Sequence, residues 1–362
     1  MQKDLTAGYN RRTVLRWSAA GTAMAVMGGP VAAQASSSRA EEGLRHVAPD
    51  LREAAARIIT ATQGFYPMSA GKLPLLRSAI KNARLPTSLP VPLRTQTVSV
   101  GAGRGDVLLY ILNARADAPA RPAILHTHGG GFITGSALLE LLRLASLAQE
   151  LDCVIVSVEY ALAPEAVWHH AIEQTYAGLR WLHASARTLG VDPSRIAVMG
   201  ESAGGGHAAL LALTARDRGE VPLAFQCLIY PMLDDRTGTT RFPPPGLGCI
   251  GWDADANHYG WRAFLGQEPG TAKVPDHAVP ARAKSLAGLP PTFIGVGAID
   301  LFAREDIAYA QRLTASGVAA ELLVLPGAFH GFDAVVPGAR ASREISAAKL
   351  SALRGGLGIA DR

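Results

Sequence analysis

The chain is poor in cysteine and poor in charge. Cys153, Cys227 and Cys249 are the only three cysteines in 362 residues. An odd number, with no close pairing in the sequence, excludes a disulfide framework and the paired-ligand spacing of a zinc site. Charged residues make up 18%, and glycine and proline are scattered rather than gathered into a low-complexity tract, so the composition is globular and not disordered. No repeat of fixed period occurs. No Lys/Arg cluster interleaved with aromatics is found either, which removes the phosphate-tracking surface of a nucleic-acid binder.

What is abundant is apolar residue, at 48%, enough to bury one large domain or two ordinary ones. Most of the formal net charge of +5 belongs to residues 1–35, where Lys3, Arg11, Arg12 and Arg16 face only Asp4. There, "NRRTVLRW" is followed by the uncharged "SAAGTAMAVMGGPVAAQA", ending in Ala33-Gln34-Ala35. This stretch resembles a twin-arginine export signal with a small-residue cleavage site after Ala35, and implies export to the periplasm or the exterior. An uncleaved anchor and an ordinary cytosolic extension are the alternatives. Gly21, Gly28, Gly29, Pro30 and Gln34 make the run a poor bilayer span, so no stable span is expected after cleavage.

From residue 36 to 93 the pattern is irregularly helical, as in "DLREAAARIITATQ", and reads as an N-terminal helical cap region. "TQTVSV" and "DVLLYILNA" flank Gly101-Ala102-Gly103-Arg104-Gly105 and predict a hairpin. Then apolar runs, "PAILHTH", "CVIVSVEY", "RIAVMG", "AFQCLIYP", "PTFIGVGA" and "AELLVLP", alternate with helix-like segments. Runs apolar on both faces are what a mostly parallel central sheet, covered by helices on each side, requires. An α/β domain is therefore expected over 94–362. Residues 234–266, rich in proline, glycine and aromatics, are long for a plain connection and read as a lid-like loop or pocket wall.

Gly200-Glu201-Ser202-Ala203-Gly204 falls where the strand "IAVM" gives way to the helix-like "HAALLALTA". A G-x-S-x-G sequence in that setting forms a nucleophile elbow, although a tight packing turn or a phosphate cradle has similar composition. His128-Gly129-Gly130-Gly131-Phe132 follows another strand, and a glycine run leaves N–H groups able to meet a developing oxyanion. Asp300 ends the strand "TFIGVGAI", and His330 follows "ELLVLP". A serine hydroxyl needs an adjacent base, and the base needs an anion to fix its tautomer. The order Ser202, Asp300, His330 is that of α/β-hydrolases.

With these motifs in view, the chain resembles the hormone-sensitive-lipase-like group of bacterial esterases within the α/β-hydrolase superfamily. The resemblance runs from about Pro122 to Phe332 and rests on "HGGGF", "EYALAPE" (Glu159–Glu165), "GESAGG", "YPMLDDR" (Tyr230–Arg236), "GWRAFLG" (Gly260–Gly266), the strand-end Asp300 and "HGF". It implies Ser202 as nucleophile, His330 as general base and acid, Asp300 as its partner, and the N–H groups of Gly130, Gly131 and Ala203 as oxyanion donors. Ala161 stands where the group usually has arginine, Glu201 replaces the commoner aspartate, and Leu301 and Arg304 depart from the usual segment after the acid, leaving Asp306 as the alternative acid.

The activity implied is a serine carboxylesterase acting on short- to medium-chain esters of small molecules, with no metal and no organic cofactor. Amide or lactone cleavage by the same groups, a non-catalytic ligand-binding protein and an envelope protein used for partner contact are the alternatives, and a homodimer is left open. Among the remaining residues, His126, His207 and the His169-His170 pair are expected to be structural. Asp234-Asp235-Arg236 is expected to be a charged set holding the 234–266 loop. Trp252, His258, Tyr259 and Trp261 are assigned either to the acyl pocket or to the core.

Overall fold

The computed structural model of the protein describes residues 42–62, 64–81, 84, 86–101, 105–116 and 120–360. The export signal expected at 1–35 lies outside the described residues, as do residues 102–104 at the tip of the expected hairpin. The apolar runs become the strands of one sheet: β1 (Leu93–Ser99), β2 (Asp106–Leu112), β3 (Arg121–Thr127), β4 (Val154–Glu159), β5 (Val191–Glu201), β6 (Phe225–Ile229), β7 (Thr292–Gly297) and β8 (Ala320–Leu325). Their order is β1-β2-β4-β3-β5-β6-β7-β8. β2 pairs antiparallel with both β1 and β4, and β3 to β8 pair with one another in parallel throughout. The chain leaves β3 toward β4 and returns on the other side to β5. The carboxyl ends of β3 and β5 thus form a switch point, where open α/β sheets bind their ligands.

The helices are α1 (Arg52–Thr62), α2 (Leu73–Lys81), α3 (Ala137–Leu151), α4 (Trp168–Ala184), α5 (Ala186–Leu189), α6 (Ala203–Arg218), α7 (Ala254–Leu265), α8 (Ala303–Ala315), α9 (Phe332–Val335) and α10 (Arg340–Gly356). Because side chains alternate across a strand, each apolar run feeds two core layers. Ile124, Ile155, Met199 and Phe293 join α3 and α10 on one face, while Leu125, Val156, Val198 and Ile294 join α4, α6 and α8 on the other. No residue of β3, β6 or β7 is exposed.

Helix α6 begins directly after Ser202 and is buried from Ala203 through Leu213. Its run of small residues lets the backbone lie close to the sheet. A methyl on Gly204 would come within 2.1 Å of the Thr127 carbonyl oxygen, and one on Gly206 within 2.3 Å of the Met232 carbonyl oxygen. The 234–266 segment, expected as a lid-like loop or pocket wall, is irregular as far as Asp253 and helical beyond it. Asp253 Oδ1 accepts from Ala256 N at 2.8 Å and starts α7, which ends at Gly266 with φ 68°. The N-terminal attachment divides: Leu51 and Ala55 join the α3/α10 layer, whereas Leu73 joins the opposite one.

The packing of α6 predicts opposite outcomes for two glycines. Gly206→Ala forces a backbone clash and is expected to destabilise by about 1–3 kcal/mol. Gly355→Ala, on the exposed last turn of α10 with open space around it, is expected to stabilise by about 0.4–1 kcal/mol. Thermal unfolding checks both, and equal melting temperatures would contradict the packing described.

Candidate active site

Ser202 occupies φ 56°, ψ −125°, a region that costs a residue with a side chain about 1–3 kcal/mol and persists only where its surroundings dictate it. Those surroundings are tight. Ser202 N donates to Ile229 O at 2.9 Å, and Ser202 O accepts from Met232 N at 3.0 Å and Gly206 N at 3.1 Å. Glycine is required at 200, since a methyl there would sit 2.3 Å from Gly204 O. The turn lifts the hydroxyl off the end of β5 while leaving the residue only 8% exposed.

The three residues separated in sequence are brought together. His330, in the turn between β8 and α9, places Nε2 at 2.9 Å from Ser202 Oγ and Nδ1 at 2.8 Å from Asp300 Oδ2. A carboxylate only accepts, so Nδ1 carries the proton and Nε2 presents its lone pair to the serine O–H. Asp300 lies three residues past β7 and is itself fixed by Phe302 N, which donates to Oδ1 at 2.9 Å. Asp306, the alternative acid, is buried in α8, and neither carboxyl oxygen has a hydrogen-bond partner among the described residues. Burial, then the neighbouring Glu305 and Asp300, push its pKa well above the usual carboxyl range. The carboxylate at the imidazole is therefore that of Asp300.

The glycine run lies beside the hydroxyl: a Cβ on Gly129 would stand 3.5 Å from Ser202 Cβ. Gly130 and Gly131 have φ of 122° and 60°, and Ile133 N and Thr134 N close the turn onto Gly130 O at 3.1 and 2.9 Å. The N–H groups of Gly130 and Gly131 donate to no acceptor among the described residues, and that of Ala203 is one of the free N–H groups at the start of α6. Behind the run, the rings of His128, Tyr160 and His207 lie in succession with centroids 4.2 Å apart. Burial lowers the His128 pKa to about 4 and that of His207 to about 3, so both rings are neutral near pH 7. His128 Nδ1 donates to Gly129 O at 2.9 Å, and Tyr160 OH donates to His128 O at 2.6 Å.

His126 is also structural in setting: it spans from Ser157 Oγ (2.8 Å) to Glu201 Oε2 (2.9 Å). His169 stands against Trp168, and no group of three or more metal-ligating side chains occurs among the described residues. Within 234–266, Asp234 pairs with Arg236 and Arg241, but Asp235 reaches outside the loop to Arg282 at 2.6 Å. Trp252 packs on the glycine run, where a methyl on Gly131 would meet its ring at 2.1 Å. Trp261, by contrast, is fully buried beside Phe132 and Phe264.

Two arginines at the site carry no sequence signal. Arg77 of α2 donates to Ile133 O (2.7 Å) and Ala163 O (2.6 Å) and pairs with Glu165 (2.7 Å), tying the N-terminal region to the turn after the glycines. Arg143 of α3 meets Glu201 at 3.0 Å. Although burial pushes the Glu201 carboxyl up, the charges of Arg143 and His126 outweigh it and hold the group well below the usual range. Neither arginine lies near the site in sequence or in any motif, and helical spacing alone marks both as surface positions.

Known proteins similar to this chain are hydrolases of the same fold. A model of the alpha/beta hydrolase fold family matches residues 124–334. The carboxylesterase NlhH of Mycobacterium tuberculosis is 33% identical over 299 residues, covering 79% of this chain and 90% of its own. The esterase LipI of the same organism is 36% identical over 227 residues, covering 62% and 70%. Among solved structures, a bacterial heroin esterase superposes with a TM-score of 0.77 at 35% identity, covering 87% of this chain and 99% of its own. A hyperthermophilic esterase of Pyrobaculum calidifontis gives 0.72 at 28% identity, covering 85% and 98%. The family match takes in more than half of the chain, and the protein belongs to the alpha/beta hydrolase fold family, as a carboxylic ester hydrolase of the hormone-sensitive-lipase-like type.

Proposed function

We propose that this carboxylic ester hydrolase works through an acyl-enzyme on Ser202, with His330 as general base and acid and Asp300 as the anion behind it. The observation that carries the reading is the unbroken line Oγ, Nε2, Nδ1, Oδ2, with contacts of 2.9 and 2.8 Å. As Ser202 Oγ attacks the ester carbonyl carbon, its proton passes to His330 Nε2. The imidazolium so formed is stabilised by Asp300, which keeps its charge. Negative charge moves to the carbonyl oxygen, where the N–H groups of Gly130, Gly131 and Ala203 receive it. His330 then returns the proton to the departing alcohol; a water next attacks the acyl-enzyme, gives its proton to the same nitrogen, and the imidazolium hands that proton to Ser202 Oγ as the bond to the acyl group breaks and the acid leaves.

Ser202→Ala is expected to abolish labelling by a fluorophosphonate and to lower kcat by about a millionfold. Asp300→Asn should lower kcat by about ten-thousandfold with KM little changed, because the imidazole then takes the wrong tautomer. Turnover that survives Ser202→Ala would overturn the reading.

The substrate class is proposed as esters of short to medium acyl chains. The Trp252 ring, held against Gly131 and donating from Nε1 to Asn257 Oδ1 at 3.1 Å, supports a confined pocket. On a p-nitrophenyl ester ladder, kcat/KM should be highest for acetate to hexanoate and fall for laurate and palmitate; the reverse order would contradict it.

The paired Arg11 and Arg12 ahead of an uncharged run support export by the twin-arginine route. Replacing both with lysine is expected to leave the protein in the cytoplasmic fraction of an expressing cell, and unchanged export would exclude that route.

A further inference from the structure

Behind the nucleophile turn, on the α3/α10 face, lies a set of charged groups that ester cleavage as described does not use. Glu201 immediately precedes Ser202 and is 5% exposed. Its Oε2 faces His126, and its Oε1 meets Arg143 Nη2 at 3.0 Å. The same guanidinium donates to Glu140 Oε2 from Nη2 at 2.7 Å and brings Nη1 to 3.9 Å from Asp333 Oδ2. Asp333 follows His330 by three residues. Its Oδ1 accepts from Tyr230 OH at 2.7 Å, and the Tyr230 ring stands edge-on to the His330 imidazole with centroids 4.9 Å apart. Tyr230 N in turn donates to Gly295 O at 2.6 Å. One cation thus forms ion pairs with the residue before the serine and, at longer range, with Asp333 in the first turn after the imidazole.

The geometry assigns Arg143 a positioning role in ester hydrolysis: by binding the Glu201 and Asp333 carboxylates together, it holds the strand end that bears Ser202 against the turn that bears His330. Three carboxylates share this guanidinium. Without it, Glu201 and Asp333 are left as two buried like charges whose repulsion acts directly on the separation between the two elements. That separation is what sets the 2.9 Å contact from Ser202 Oγ to His330 Nε2, and a misplacement on the order of 1 Å at such a contact costs about a hundredfold in rate. Glu201 and Asp333 act on the reacting pair through this brace. The inference rests on Ser202 and His330 being the reacting pair.

The test uses the full chain with p-nitrophenyl acetate, with kcat expressed per serine titrated by a fluorophosphonate so that unfolded protein does not count. Arg143→Met is expected to lower kcat by about tenfold to a hundredfold while KM moves less than about threefold, with Arg143→Lys recovering part of the loss and Asp333→Asn falling between. Arg143→Met with kcat within about twofold of the parent, or with its loss confined to KM, overturns the role. Should Arg143→Met fail to fold, Asp333→Asn and Arg143→Lys decide: lowered kcat in both supports the brace, and unchanged kcat in both, or in Asp333→Asn alone, overturns it. Failure of the underlying reading is separately visible, as turnover that persists in Ser202→Ala.

Discussion

The left-handed backbone at Ser202 is the constraint from which the site is built. A φ of 56° on a residue with a side chain stands only because the chain on either side has no freedom to relax it. Gly200 and Gly204 are in mutual contact across the turn, and α6 is seated on the sheet through Gly204, Gly205 and Gly206, each with carbonyl or proline atoms where a side chain would begin. Burial of the whole inner length of α6 offsets the local strain. The hydroxyl is thereby presented at a fixed height above the ends of β3 and β5.

That height matters because every other participant arrives on a different loop at the same edge. In a parallel sheet all carboxyl ends lie together, so the turns after β3, β5, β7 and β8 converge although they are distant in sequence. Their supports differ in character. Behind the glycine run is a neutral stack, since burial keeps His128 and His207 uncharged. Behind the serine turn is a bonded row of Ser157, His126, Glu201 and Arg143, which ends in the ion pair of Glu201 with Arg143.

Segments outside the sheet hold the loops that the sheet itself leaves free. Ala48 N donates to Gly327 O at 2.9 Å, just before His330. Tyr66 OH donates to Gly251 O at 3.3 Å, and a methyl on Gly251 would meet His330 O at 2.4 Å. Trp252 closes against Gly131, and Arg77 binds the turn that follows it. The N-terminal region and the 234–266 segment are thus joined to the imidazole turn and the glycine turn, which links their order to the geometry of the reacting groups.

Much of this was legible in the residue string. Apolar runs of strand length separated by helical periods dictate a covered parallel sheet, because their side chains alternate between two faces that must both be buried. The G-x-S-x-G turn and the glycine run are local: small residues are demanded there by backbone dihedrals and close approach, so they announce themselves without any partner. What tertiary structure alone decided is pairing across distance. The end of an apolar run already favours Asp300 over Asp306 in the sequence, but only the course of β7 and α8 puts the one at the imidazole and leaves the other enclosed in the core. Asp235 finds Arg282 rather than its neighbour Arg236, α7 emerges from what reads as a loop because Asp253 caps it, and Arg143 and Arg77 become part of the site although nothing in their own windows distinguishes them from solvated helix positions. Periodicity reports which face of an element is apolar; it carries no information on which charged groups meet once those faces are packed.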